Sequence, residues 1–251
     1  MREVGIVLRR ELNGYFLSPI AYVFGALFLV AMGTLTYGNM LIQGGSASMT
    51  LFFSMLPWMF LFFLPALTMR LWAEERKQGT LELLLTFPVT ISQLIGGKFL
   101  AALGYLTLLL ILTLGLPITL SIFAEHGLDW GPVAMTYVAC VLMAAAYLSV
   151  GMFWSSITRD QIIAFLLALT TLVGLFFLGH PGFIDWLTRT LPDWSGHAWV
   201  ILFIRGISPF GYFDSISRGM LDTGDLLYYV CFTVFFLHAN ALVLYGKRVR
   251  G

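Results

Sequence analysis

The sequence predicts an all-α integral membrane protein with six transmembrane helices. It also predicts an amphipathic N-terminal in-plane helix and re-entrant or interfacial helices before the last span. The first observation is composition, because 59% of the 251 residues are hydrophobic and 11% are charged, and a soluble fold could not cover that much apolar surface. The second is the length of the apolar stretches. Six charge-free stretches are each close to the roughly 20 residues that a helix needs to cross a hydrocarbon core about 30 Å thick. Residues 1–251 are therefore expected to form a single transmembrane domain.

The N-terminal segment, residues 3–17, has the pattern of an amphipathic helix. Apolar side chains recur at helical spacing, and charged and polar side chains fall on the other faces. We expect a cytoplasmic helix in the membrane plane that leads into the first span; a positively charged start that only fixes the topology is the alternative. The apolar positions are Val4, Val7, Leu8, Leu12, Tyr15 and Phe16, and the polar positions are Arg2, Arg9, Arg10 and Asn13.

The six charge-free stretches predict the spans, and they lie at about 20–42, 51–69, 99–123, 133–157, 162–179 and 226–246. Ser18-Pro19 precedes the first, and this pair is typical of a helix start because Ser accepts free amide hydrogen bonds and Pro suits the first turn. No small-residue cleavage pattern follows this span, so we expect it to remain in the mature protein. Residues 198–207 are too short to cross the bilayer, which predicts a re-entrant or interfacial helix within the extracytoplasmic segment 180–225.

The basic residues predict the orientation, because cytoplasmic connections retain an excess of Lys and Arg. With both termini inside, only Arg189, Arg205 and Arg218 of the 14 Lys and Arg residues lie outside, which leaves 11 on the inner side. A seventh crossing would move the basic C-terminal tail outside, against this bias. The pattern predicts a multi-pass membrane protein with cytoplasmic N- and C-termini, and we expect it in the bacterial inner (cytoplasmic) membrane.

The densest charge cluster lies in the inner connection 70–98. Gly79 can end a charged helix in a left-handed turn, Thr80 can cap a new helix, and Glu82 lies where the helix dipole favours an anion. Pro88 then ends the short helix that residues 81–86 are predicted to form. Its leucines, Leu81, Leu84 and Leu85, indicate either a protein partner or packing on the chain's own span ends.

The order Glu-Arg-Lys-Gln-Gly-Thr-Leu-Glu-Leu-Leu-Leu-Thr-Phe-Pro at 75–88, followed by Gly97-Lys98, closely resembles the type 2 ATP-binding-cassette (ABC) exporter permeases. The resemblance implies that 70–98 is a cytoplasmic coupling loop whose short helix docks on a separate ATPase. The opening at 18–22, the compact length and the basic tail look like the gliding-motility-associated branch, with the copper-processing branch as a second choice. The implied ATPase-coupling residues are Glu74, Glu75, Arg76, Gly79, Thr80, Leu81, Glu82, Leu84, Leu85 and Pro88.

No energy source is visible within the chain. Five spans contain no acidic, basic or His residue. The sixth contains His238 and the polar Asn240, which are expected to hydrogen-bond to neighbouring helices. The stretch 96–99 resembles a phosphate-binding loop only superficially, because Ser92 and Phe99 replace the glycine and the Ser or Thr of that motif. We therefore expect a permease subunit that is not an enzyme, without catalytic, cofactor or metal residues of its own.

Partners follow from the same reasoning. ATP and Mg are expected on the partner, a cytoplasmic ABC ATPase present in two copies, and the resemblance implies a second permease that is identical or related. Membrane lipid and a periplasmic or accessory membrane protein complete the expected partners. A net charge of +1 gives no long-range electrostatic attraction for nucleic acid, which is therefore not expected as a partner.

Two other functions fit the sequence less well. One is a membrane anchor, or mechanotransmitter, that couples a cytoplasmic ATPase to a periplasmic partner without transporting substrate. The other is an intramembrane enzyme, although no metal-ligand spacing supports it. Its acid-base or metal groups would be His126, His180 and His197, near Glu125, Asp185 and Asp193.

Overall fold

A computed structural model of the chain describes residues 2–42, 49–81, 89–123, 129–190, 197–217 and 222–248. Within these ranges nearly all residues are α-helical and none forms a strand. The helices, numbered in chain order, are α1 Arg2–Leu17, α2 Pro19–Ile42, α3 Thr50–Thr68, α4 Arg70–Lys77, α5 Ile91–Leu112, α6 Gly115–Phe123, α7 Trp130–Ile157, α8 Gln161–Gly179, α9 Pro181–Thr190, α10 His197–Ile207, α11 Pro209–Ser217 and α12 Thr223–Arg248.

Six segments of the described chain are long and apolar enough to cross a membrane, which confirms the predicted all-α membrane fold. Two of them each combine a pair of consecutive helices, α3 with α4 and α5 with α6. Their limits are Ala21–Gly38, Phe52–Lys77, Ile91–Ile122, Trp130–Ile157, Gln161–Gly179 and Thr223–Gly246.

Helix α7 is the core of the bundle. Of the residues in its membrane window, 61% are buried, compared with 17% in the last span. It packs against α3, α4, α5, α8, α11 and α12. A Cβ added at Gly151 would overlap the side chain of Thr68 on α3, so this glycine allows the two helices to approach closely.

The third span begins earlier than the predicted residue 99. The hydroxyl of Thr90 accepts the Gln93 amide at 3.3 Å, and Oε1 of Gln93 accepts the Thr90 amide at 3.0 Å. This capping box starts α5 at Ile91, so Gly97-Lys98 lies within a helix instead of opening one. The same span is interrupted between α5 and α6. Pro117 has no amide to donate to the carbonyl of Thr113, and this carbonyl accepts the Leu116 amide at 2.9 Å instead.

The N-terminal helix α1 packs lengthwise on the first half of α5, and the two run in the same direction. Val7 contacts Gly97, where an added Cβ would lie 2.6 Å from a Val7 methyl group. Further along, the ring of Tyr15 stacks on that of Tyr105 at 5.2 Å. The predicted helix at 3–17 is therefore present, and its placement in the membrane plane stays a prediction.

Three short helices, α9, α10 and α11, lie between α8 and the last span. The phenol of Tyr229 on α12 donates to the carbonyl of Pro209 at the start of α11, at 2.6 Å. At 11 residues, α10 is about 16 Å long and too short to cross the bilayer. Its Trp199 and Phe203 side chains are exposed, as expected for a helix at a membrane surface.

Candidate functional site

The charged helix α4 continues directly from the end of α3 and is held against the end of α7. Leu71, Trp72 and Ala73 on its inner face are buried. The first turn of a helix leaves amides without partners, and the residue before α4, Met69, provides no side-chain cap. The start of α4 therefore depends on a partner from elsewhere in the chain.

Ser155 of α7 is that partner. Its hydroxyl accepts the backbone amides of Trp72 at 3.1 Å and Ala73 at 3.2 Å, and it donates to the carbonyl of Met69 at 3.0 Å. Ser155 is fully buried, so water does not compete for these bonds. One side chain thus fixes the junction of α3 and α4 on α7.

Arg76 holds the other end of α4 on the same helix. Its guanidinium donates to the carbonyls of Ser156 at 3.2 Å and Thr158 at 2.9 Å, and also to that of Ile157. These carbonyls lie at the C-terminus of α7, where the helix dipole favours a cation. Through Arg76 and Ser155, α4 is attached to α7 at two points.

A buried ion-pair cluster joins α4 to α1 and α5. Lys98 of α5 has a side chain only 3% exposed, and its Nζ lies 2.7 Å from Glu75 Oε1 and 3.3 Å from Glu11 Oε1. Arg10 pairs with Glu11 at 2.7 Å and lies 3.8 Å from Glu75. The Lys98 ammonium also lies 5.0 Å from the centre of the Trp72 ring, within the range of a cation–π interaction.

The charged helix ends as the sequence predicts. Gly79 has a φ of 71°, and its amide donates to the carbonyl of Arg76 at 3.3 Å, which confirms the predicted left-handed turn. The Thr80 hydroxyl donates to the carbonyl of Glu75 at 3.2 Å; its predicted capping of the next helix involves amides outside the described residues. Leu81 follows and is buried.

The structure describes six of the ten predicted coupling residues. Three of them, Glu74, Glu75 and Arg76, lie on α4. Gly79 lies in the turn after it, and Thr80 and Leu81 are helical again. Glu82, Leu84, Leu85 and Pro88 lie outside the described residues. The sequence reasoning missed Glu11 and Ser155 as members of this site and treated Lys98 only as the start of a span. The sequence did contain a signal for Lys98, because this lysine directly precedes a long apolar run. A charge buried at such a position requires a partner of opposite charge.

Of the three histidines that the sequence predicts on the outer side, His180 is the one whose side chain the structure describes. His180 caps the start of α9, because its Nδ1 accepts the Gly182 amide at 3.2 Å, and its ring stacks on Phe210. No group of three His, Cys, Asp or Glu side chains among the described residues could hold a metal ion. His126 and the side chain of His197 lie outside the description.

Comparison with known proteins identifies one family. The family model described as ABC-2 family transporter protein matches residues 35–245, which is most of the chain and includes α4, the turn at Gly79 and the whole of α7. A search of curated proteins finds no match.

Proposed function

Because this chain belongs to the ABC-2 family of transporter proteins, we propose that it is the membrane-spanning permease of an ATP-driven exporter. The family supports a permease subunit of an ABC transporter and implies a cytoplasmic ABC ATPase as partner. In our proposal, ATP hydrolysis by that separate ATPase drives a substrate outward across the inner membrane. The chain itself binds no nucleotide; ATP and Mg belong to the ATPase.

The attachment of α4 to α7 supports this mechanism. If the ATPase docks on the segment after Gly79, a push on that segment acts first on α4. Ser155 and Arg76 join α4 to α7, the most buried helix of the bundle. Movement of the ATPase can therefore tilt the central span as a rigid element.

The Lys98 cluster provides a second connection. It joins α4 to α1 through Glu11 and to the third span through α5. Because Glu75 and Arg76 are engaged within the chain, we assign them to positioning the coupling segment. The direct ATPase contact then falls to Glu74, Gly79, Thr80 and the stretch 82–88, whereas the buried Leu81 packs within the chain.

The proposed assembly has two permeases, identical or related, and two ATPases. The chain resides in the inner membrane with both termini in the cytoplasm, and the segment 180–225 faces outward, where a periplasmic or accessory protein would bind. Within the family we propose the gliding-motility-associated branch, on the residues at 18–22 and the basic tail. This assignment carries no inference about the substrate.

The first test is affinity purification of the tagged full-length chain from its own host, with mass spectrometry and an ATPase assay of the eluate. We expect a stoichiometric ABC ATPase and vanadate-sensitive hydrolysis. A clean, inactive single chain would contradict the proposal.

A matched pair of variants then tests the mechanism. Arg76→Gln removes the contacts with the end of α7, whereas Lys77→Gln makes the same charge change at an exposed neighbour. We expect Arg76→Gln to retain the ATPase but to lower substrate movement per ATP hydrolysed severalfold, and Lys77→Gln to behave like the wild type. Equal effects of the two variants would show that the α4–α7 attachment does not transmit movement.

Reconstitution separates transport from the mechanotransmitter alternative. Flux into or out of proteoliposomes that depends on ATP supports an exporter. Hydrolysis that responds to an outer partner and produces no flux supports the anchor.

A further inference from the structure

A polar cavity of about 360 Å³ lies where α1, the start of α2, the end of α3 and α4 meet. Its charged and polar wall comprises Glu11, Tyr15, Arg70, Glu74, Glu75 and Lys98. Its other wall is apolar and includes Phe24 and Ala66, at the level where the first span begins. The cavity is therefore amphipathic, with its polar end on the cytoplasmic side.

Two buried polar atoms in this wall lack a partner among the described residues. Lys98 occupies Oε1 of Glu75, while Glu75 Oε2 and the phenolic oxygen of Tyr15 have none. Burial raises the pKa of the Tyr15 phenol, and the Glu11 carboxylate raises it further, so the phenol remains a hydrogen-bond donor. A buried donor or acceptor without a hydrogen bond costs folding free energy. A ligand with one hydrogen-bond donor and one acceptor would provide partners for both atoms.

The charges of the wall indicate what that ligand carries. Glu11, Glu74 and Glu75 contribute three carboxylates to the wall, and Arg70 and Lys98 contribute two cations. Arg10, which pairs with Glu11 at 2.7 Å, adds a third cation beside them. Because these charges balance, a headgroup with both a protonated amine and an anionic group, and no net charge, is favoured. Arg70 forms no salt bridge with another described residue and lies close enough to Tyr15 to influence its pKa. An anionic group between Arg70 and the Tyr15 phenol would therefore be favoured as well.

An apolar groove continues from this cavity along the outside of the bundle. It has a volume of about 390 Å³ and shares Phe24 and Ala66 with the polar cavity. Leu27, Phe62 and Phe165 also line it, and Leu27 and Phe62 are more than half exposed. A molecule with its head in the polar cavity can therefore extend an apolar chain toward the bilayer.

We propose that these two cavities form a binding site for an inner-leaflet phospholipid with a phosphoethanolamine headgroup. Its ammonium group donates to Glu75 Oε2, and its phosphate accepts from the Tyr15 phenol and the Arg70 guanidinium. One acyl chain lies in the groove past Ala66. The site does not rest on the exporter mechanism, because lipid binding requires neither nucleotide nor ATPase.

The test is native mass spectrometry of the full-length chain in detergent, titrated with phosphatidylethanolamine, phosphatidylcholine or phosphatidylglycerol of identical acyl chains. Phosphatidylcholine has no N–H donor and phosphatidylglycerol has no amine. We expect preferential retention of phosphatidylethanolamine. Tyr15→Phe keeps the ring stacked on Tyr105 and removes one hydrogen bond, so it should weaken retention about fivefold.

Two further variants complete the design. Ala66→Phe fills the junction of the cavities and should abolish the preference. Tyr37→Phe is the control, because its phenol is at the other end of α2 and bonds to Thr119 at 2.6 Å; it should leave retention unchanged.

Three results would overturn the proposal. The first is equal retention of the three lipids by the wild type. The second is an equal loss in Tyr37→Phe and Tyr15→Phe. The third is the absence of any lipid adduct, which would indicate that water occupies the polar cavity. The comparison of headgroups uses the wild type alone and does not depend on the folding of a variant.

Discussion

Gly79 shows how one residue decides where the charged helix ends. Its φ of 71° lies in the left-handed region, where a Cβ costs about 1–2 kcal/mol. We therefore expect Gly79→Ala to destabilise the purified protein by about 1 kcal/mol and Gly79→Asn to do so by less, because Asn tolerates this conformation. Thermal unfolding monitored by circular dichroism measures both.

Gly96→Ala is the matched control for that substitution. Gly96 lies within α5, and an added Cβ would meet nothing within 4 Å. Alanine is the better helix former by roughly 0.5–1 kcal/mol, so this variant should be as stable as the wild type or more stable. A loss of stability at Gly96 equal to that at Gly79 would contradict the conformational explanation.

Ser155 makes a second prediction at the scale of a residue. Ser155→Ala removes three buried hydrogen bonds, those from the Trp72 and Ala73 amides and that to the Met69 carbonyl, and we expect a loss of about 2 kcal/mol in the free energy of unfolding. For a protein of this size, that corresponds to a fall in Tm of roughly 4–8 °C. Ser149→Ala is the control, because Ser149 is also fully buried on α7 but bonds to the carbonyl of Ala146 in its own helix. Similar losses in both variants would show that Ser155 has no special role.

At the scale of helices, patterns of neighbouring residues predict the features that interactions between neighbouring residues determine. The apolar runs give the six candidate spans, and Gly79 gives the end of α4. The start of α5 was missed although Thr90 and Gln93 have the spacing of a capping box, because the predicted limit was set by the charge-free run, which begins only after Lys98. The contacts of Ser155 and Arg76 join residues about 80 positions apart, and no local pattern in one sequence pairs such residues.

The Lys98 cluster makes a prediction for three helices together. Lys98→Met leaves Glu75 beside Glu11 with only the exposed Arg10, 3.8 Å away, as a counter-charge, and we expect a loss of about 3 kcal/mol in the free energy of unfolding. The double variant Lys98→Met with Glu75→Gln removes both charges and should recover most of that loss. A double-mutant cycle on thermal stability measures the coupling. If the two losses simply add, the pair does not hold α1, α4 and α5 together.

For the whole molecule, the central feature is the position of α7. It contacts three helices that precede it in the chain, α3, α4 and α5, and three that follow it, α8, α11 and α12. The charged helix α4 is attached to the C-terminal end of α7, and the short helix α11 packs on α7 as well. A displacement of α7 therefore reaches both ends of the molecule, which is what an alternating-access permease requires.

Topology is the prediction that tests this arrangement as a whole. In a chain with Cys140 and Cys231 replaced by serine, single cysteines at Arg9 and Lys77 should react with a membrane-impermeant maleimide only after the membrane is opened. Cysteines at Trp186 and Trp199, which are 58% and 76% exposed, should react in spheroplasts with an intact membrane. A cysteine at Gly246 decides whether α10 crosses the bilayer. We expect it to be protected, because six spans return the basic tail to the cytoplasm, whereas labelling from outside would require a seventh crossing and reverse the side assigned to the last helix.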